Sequence, residues 1–155
     1  MKFNIYPINQ FTNFDRPYQP YWVFKDALED YWSKDIDYFE SGTQNSFNGS
    51  EDIFYQIEAG EKLVGEWIFK IGRACIGTRN GRYCLYFSDG RHRTRWLIDS
   101  HTDIELVPLA LDANSISRAI DIGLLSKPIL EFDKIDLQVS KEMILSERES
   151  FALLT

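Results

Sequence analysis

Apolar and polar positions change their rhythm several times along the chain, and each change predicts an element. The clearest β signal runs from Ile71 to Phe87: Tyr83, Leu85 and Phe87 alternate with Cys84 and Tyr86, and Asn80-Gly81 divides the run as a two-residue hairpin turn. The rhythm then switches. Ser88 and Asp89 are N-cap residue types, Gly90 permits a sharp turn, and Arg91 to Asp99 contains no breaker, so a helix is predicted to start there. Upstream, from Tyr21, the residues Trp22, Val23, Ala27, Leu28, Tyr31 and Trp32 recur at helical steps, which predicts an amphipathic helix.

Weaker signals fill the remainder. Met1 to Pro7 reads as a short opening strand, Asn9 to Pro20 as a connector, and Glu40 to Asp52 as a polar loop. Between Asp52 and Phe69 the apolar spacing is mixed, leaving helix and extended chain both open. Asp103 to Leu111 reads as a strand. Asp112-Ala113-Asn114-Ser115 opens another helix that ends near Gly123. After Pro128 come two alternating stretches, Leu130 with Phe132 and Ile135 with Leu137 and Val139, and the chain from Ser140 onward reads as helical. Strand, helix, strand around residues 83–111 suits an α/β (α+β) class: one compact domain over 1–155, with a small mixed sheet flanked by helices.

Composition agrees with that class: 44% hydrophobic and 15% aromatic residues among 155 supply a core of one-domain size. No apolar run approaches the roughly 18–20 residues of a membrane span, so no membrane partner is expected, and no leader is recognised, so a cytoplasmic location is expected. Cys75 and Cys84 would lie on neighbouring strands as reduced thiols. With only His92 and His101 and no metal-ligand spacing, no metal site is expected.

Charge changes the picture more. The chain carries a net −7, yet Lys70 to Arg95 holds seven basic residues and the single acid Asp89. A cationic island in an acidic body is a focused anion site rather than a track for polyanions. At the predicted helix start, unpaired backbone N–H groups and about half a unit of positive charge from the helix dipole would meet Arg91, His92, Arg93 and Arg95. Phosphate is the fitting guest. The competing reading is that these arginines pair with the chain's own carboxylates and the turn is structural, which would leave an acidic interaction or immunity-type protein.

Asp89-Gly90-Arg91-His92-Arg93, with Arg95 two residues on, between a short apolar strand and a helix, resembles the phosphate-binding motif of the fold shared by sulfiredoxin and the partition protein ParB. The wider order of features is similar to the plasmid fertility inhibition factors, the Osa-like family: Phe24-Lys25-Asp26-Ala27-Leu28, then Tyr31-Trp32-Ser33-Lys34-Asp35, a polar glycine-containing loop, and GRHRTRWLID. This resemblance spans about residues 20–112. It implies a ParB/sulfiredoxin-like domain that binds phosphates of ATP, another nucleotide or DNA through Gly90, Arg91, His92 and Arg93, with Arg95 beside them. It also implies ATPase or DNase activity, with magnesium as a companion ion, and a block on conjugative DNA transfer through the coupling protein of a type IV secretion machine.

In a hydrolytic reading Asp89 and His92 are the catalytic candidates, and Arg73, Arg79 and Arg82 add auxiliary positive charge. If the fold is of the ParB/sulfiredoxin type, the Glu40 to Asp52 loop approaches the pocket and adds Thr43, Gln44, Asn45 or Ser46 as secondary ligands; the alternative is an uninvolved surface loop. Two departures narrow the resemblance. Arg91 stands where sulfiredoxin needs its cysteine, and Arg91 and His92 stand in the two middle places of the partition motif Gly-Glu-Arg-Arg. Asp99 would sit about 12 Å along the helix from its start, too far to act there.

Overall fold

A computed structural model describes residues 2–5, 17–40, 54–59 and 62–139. Its elements are β1 (Lys2–Asn4), β2 (Tyr18–Phe24), α1 (Lys25–Trp32), β3 (Phe54–Ala59), β4 (Lys62–Phe69), β5 (Gly72–Arg79) and β6 (Arg82–Asp89). They are followed by α2 (Arg91–Ser100), β7 (Leu106–Asp112), a 3-10 turn (Ala113–Ser115), α3 (Ile116–Asp121), β8 (Leu125–Pro128) and β9 (Lys134–Asp136). Two mixed sheets result. One has the order β3-β4-β1-β9 and the other β6-β5-β7-β2-β8. Within them, β1 with β4 and β5 with β7 are parallel, and the chain crosses from β5 to β7 by way of β6 and α2.

The α/β class is therefore realised, with a second sheet beyond the single small one that the sequence predicts. One buried cluster joins both sheets: Phe3 and Ile135 from the four-stranded sheet pack with Val23, Leu85 and Leu109 from the five-stranded one, and Trp96 and Leu97 of α2 enter it. The hairpin at Asn80-Gly81 forms as predicted. Both residues have positive φ, 53° and 75°, the sign that a two-residue turn joining right-twisted strands requires. Asp112 accepts a hydrogen bond from the Asn114 backbone N–H at the start of the 3-10 turn, so the predicted helix start is real, and Gly123 at φ 68° ends that region.

Two expectations are corrected and one open choice is decided. Tyr21 to Phe24 is strand, with the helix starting only at Lys25. Aromatic and β-branched residues suit a pleated surface, and β2 gains partners on both sides by pairing with β7 and β8, which outweighs the helical spacing that the same residues imitate. In the stretch before Phe69, left open between helix and extended chain, the described residues are two antiparallel strands, β3 and β4. Leu130 and Phe132 belong to no strand: they are 65% and 84% exposed on a turn closed by the Asp133 N–H donating to the Leu130 carbonyl, whereas Ile135 and Leu137 of the second stretch are buried. The readings of Thr43 to Ser46 as ligands and of the chain from Ser140 as helix lie outside the described residues. Among the described residues, no helix is long and apolar enough to cross a membrane.

Candidate phosphate site at the start of the second helix

The β5–β6 hairpin delivers the chain to the site through an irregularity. Ala74 pairs with Phe87 but Arg73 pairs with Asp89, so Ser88 is an extra residue that bends the end of β6. Its hydroxyl donates to the Arg73 carbonyl at 3.2 Å and lies 3.0 Å from the Tyr18 hydroxyl, which ties the bend to β2. Gly90 then takes φ 83° and ψ 19° and is the N-cap of α2, in place of Ser88 or Asp89, and no side chain caps the helix. The turn is packed backbone to backbone. A β-carbon on Gly90 would lie 2.8 Å from the Gly72 Cα, and one on Gly72 would lie 2.6 Å from Thr94 Oγ1. Thr94 Oγ1 in turn donates to the Gly90 carbonyl at 2.9 Å.

The basic residues divide sharply. Arg93 is 5% exposed, donating through Nε to the Lys70 carbonyl (3.2 Å) and through Nη2 to Asp89 Oδ2 (3.0 Å). Arg73 Nη2 reaches the same oxygen at 2.9 Å. Burial alone would raise the Asp89 pKa. The charge of Arg93, with hydrogen bonds from Arg73 and Arg93, outweighs burial and holds it below the usual carboxylate range. A carboxylate clamped by two guanidinium groups is a poor general base. It is also a poor ligand for a cation.

Linkage gives this clamp a pH signature. A carboxylate with a depressed folded-state pKa contributes stability fully above the unfolded pKa, about 3.9 for Asp, and loses it as pH falls through the folded value. The stability difference between wild type and Asp89→Asn is therefore expected to stay constant from about pH 8 to 5 and to shrink below about pH 4. Chemical unfolding of both proteins across that range measures it, and a difference unchanged at low pH would contradict the clamp.

Arg95 leaves the site altogether. Its side chain is 0% exposed, and all five of its N–H donors are engaged: Nε on the Phe39 carbonyl, Nη1 on Glu29 and Asp99, Nη2 on Glu29 and the Tyr38 hydroxyl. The guanidinium also lies 4.6 Å from the Trp32 ring centroid. Burial works against its charge, but the Glu29 carboxylate prevails and the pKa rises above that of a free arginine. The expected phosphate role for Arg95 is thus corrected to a structural one, because its partners arrive from α1 and from the chain after it. Arg79 and Arg82 are also displaced. They flank the hairpin tip, six residues along β5 from Arg73 and so roughly 20 Å away, and Arg79 donates to the Lys34 carbonyl.

Arg91 and His92 remain. With Phe87, Ser88, Asp89 and Gly90 they line a shallow depression of about 290 Å³, near the lower end of ligand-pocket sizes. Arg91 is exposed, and its contacts are long: 3.5 Å to the Asp37 carbonyl and 3.4 Å to His92 Nε2, distances at which little is lost by re-aiming the group. His92 packs edge-on against Phe39, ring centroids 4.4 Å apart. A depression of this size has room for a small group but not for a whole nucleotide. Among the described residues, no cluster of three or more His, Cys, Asp or Glu is placed to hold a metal ion.

Two larger hollows lie at the opposite end of α2, formed by residues to which the sequence assigns no site. They bring together residues 22–26, 100–106 and 134–138, segments too far apart in the chain for any local motif to join them. Comparison of the chain with models of known protein families, with characterised proteins and with solved structures gives no match.

Proposed function

We propose that the protein binds a phosphate group of a nucleotide or of DNA at the start of α2, through the backbone N–H groups of the first turn, Arg91 and His92. The observation that carries this reading is the uncapped helix start, opening on a polar depression that Arg91 and His92 line without strong internal partners. Arg73, Asp89 and Arg93 are its frame: they fix the turn that aims the helix end. In this reading the fold is of the ParB/sulfiredoxin type and the biological role is that of a plasmid fertility inhibition factor acting in the cytoplasm. It would hold nucleotide or DNA and obstruct the coupling protein that feeds DNA to a conjugative secretion machine. That role rests on the strand–Asp89-Gly90-Arg91-His92-Arg93–helix arrangement that carries the resemblance. Binding is favoured over hydrolysis, because the nearest carboxylate is neutralised by two arginines.

One observation favours the rival reading, a protein-binding or immunity-type protein with a structural turn: Arg93 and Arg95 both spend their donors inside the molecule. Titration of ATP, CTP and short single- and double-stranded DNA into wild type and an Arg91→Ala/His92→Ala double variant separates the two. The proposal requires saturable binding that falls at least tenfold in the variant. Equal binding by both, or by neither, supports the structural turn. Arg93 is the wrong residue to remove for this purpose, since its loss would take from Asp89 one of its two guanidinium partners and from the Lys70 carbonyl the Arg93 hydrogen bond, loosening the turn itself.

A further inference from the structure

The C-terminal end of α2 opens onto a cleft of about 630 Å³ at the seam between the two sheets. One wall is β2 and the start of β7, where Trp22, Ile104 and Leu106 are half-buried. The other is β9, and Asp103 and Asp136 stand exposed on the rim. An adjoining hollow of about 420 Å³ shares Thr102, Asp103 and Ile104 and adds Phe24, Asp26 and Glu105. Four carboxylates therefore border the two hollows against two ammonium groups, Lys25 and Lys134, and Lys25 is tied to the Thr102 carbonyl at 3.2 Å. The helix dipole adds negative potential at this end, the reverse of its effect at the phosphate site.

The walls are pre-shaped. The Trp22 indole N–H donates to Asp133 Oδ2 at 3.2 Å, fixing the ring. His101 joins three segments: Nδ1 lies 3.1 Å from the Leu97 carbonyl, Nε2 is 2.9 Å from the Gln138 N–H, and its own carbonyl accepts from the Ile104 N–H. With Nε2 accepting, Nδ1 carries the proton and donates. A rigid cleft with an apolar, tryptophan-bearing wall and an acidic rim matches a cation on an apolar stem.

We infer that this cleft docks a basic segment of a partner protein, seating an arginine side chain with its stem against Trp22 and Leu106 and its guanidinium at Asp103 and Asp136. The inference does not depend on the phosphate reading. The two sites lie at opposite ends of a ten-residue helix, about 15 Å apart along its axis. Fluorescence anisotropy with a labelled peptide of alternating arginine and leucine, and with its glutamate–leucine counterpart, tests it. The arginine peptide is expected to bind saturably, and Asp103→Asn/Asp136→Asn to weaken it about tenfold, the combined effect of two rim charges. Arg91→Ala/His92→Ala should leave this affinity unchanged. Asp30→Asn/Asp121→Asn, which removes the same net charge from exposed positions elsewhere, should change it less than twofold. Equal binding of the glutamate peptide, unchanged affinity in the Asp103/Asp136 variant, or equal loss in the Asp30/Asp121 control would overturn the inference.

Discussion

Replacing Arg95 by methionine is expected to lower the unfolding free energy by roughly 3–5 kcal/mol, the range for removing one partner of a buried ion pair. Methionine fills much of the space, so the loss comes from what the guanidinium leaves behind. The Asp99 side chain is 5% exposed and would lose the cation beside it, the Phe39 carbonyl would lose the Arg95 hydrogen bond, and Glu29 would keep the Tyr38 hydroxyl but lose its guanidinium partner. Arg95→Lys restores the charge but not the planar fork that serves five acceptors, so it should recover less than half of the loss. Urea unfolding midpoints of the three proteins measure this. A methionine variant within about 1 kcal/mol of wild type would show that the network is surplus to stability. The network also reaches the candidate site, because Phe39, anchored through its carbonyl, is the surface on which His92 rests.

Gly90→Ala is expected to cost about 3 kcal/mol, combining the left-handed backbone penalty with forced overpacking. At φ 83° any side chain is strained, and the new β-carbon would meet Arg93 Nη2 at 2.7 Å and the Gly72 Cα at 2.8 Å. The arginine tip can shift, but backbone on a sheet strand cannot move without disturbing β5. Gly81→Ala is the internal control: its φ of 75° is similar, but nothing lies within 4 Å of its added β-carbon, so only the backbone penalty of about 1 kcal/mol applies. Thermal or urea unfolding of the two variants isolates the packing contribution. Equal losses at both glycines would mean that the close approach of Gly72 and Gly90 does not constrain the turn.

These residues also mark how far the sequence alone is informative. Asn80-Gly81 and Asp89-Gly90 announce their turns because positive φ is a local demand that few residues meet, and the helix after Gly90 begins where the pattern places it. The fate of the arginines is not local. Arg95 is claimed by Glu29 and Phe39, and Arg93 by Lys70, partners 23 to 66 residues away in the chain that bring acceptors of the right geometry. A run of basic residues therefore reads as an exposed cluster when half of it is interior. β2 is hidden for a related reason: Trp22 and Val23 stand at helical steps from Ala27 of α1 and so imitate its stripe, and only pairing with β7 and β8 decides otherwise. The acidic cleft is illegible in sequence because its walls come from three separate stretches.

The central claim is that the first turn of α2 grips phosphate, and the most direct measurement is a titration of isotope-labelled protein with ATP or pyrophosphate, followed by amide resonances. Saturable shifts are expected at the N–H groups of Arg91, His92 and Arg93, with those of Ser100 to Asp103 at the far end of the helix unmoved. Shifts confined to the hairpin tip at Arg79 and Arg82, or no saturable shift at any amide, would contradict the account and leave the cationic turn as a structural feature of the fold.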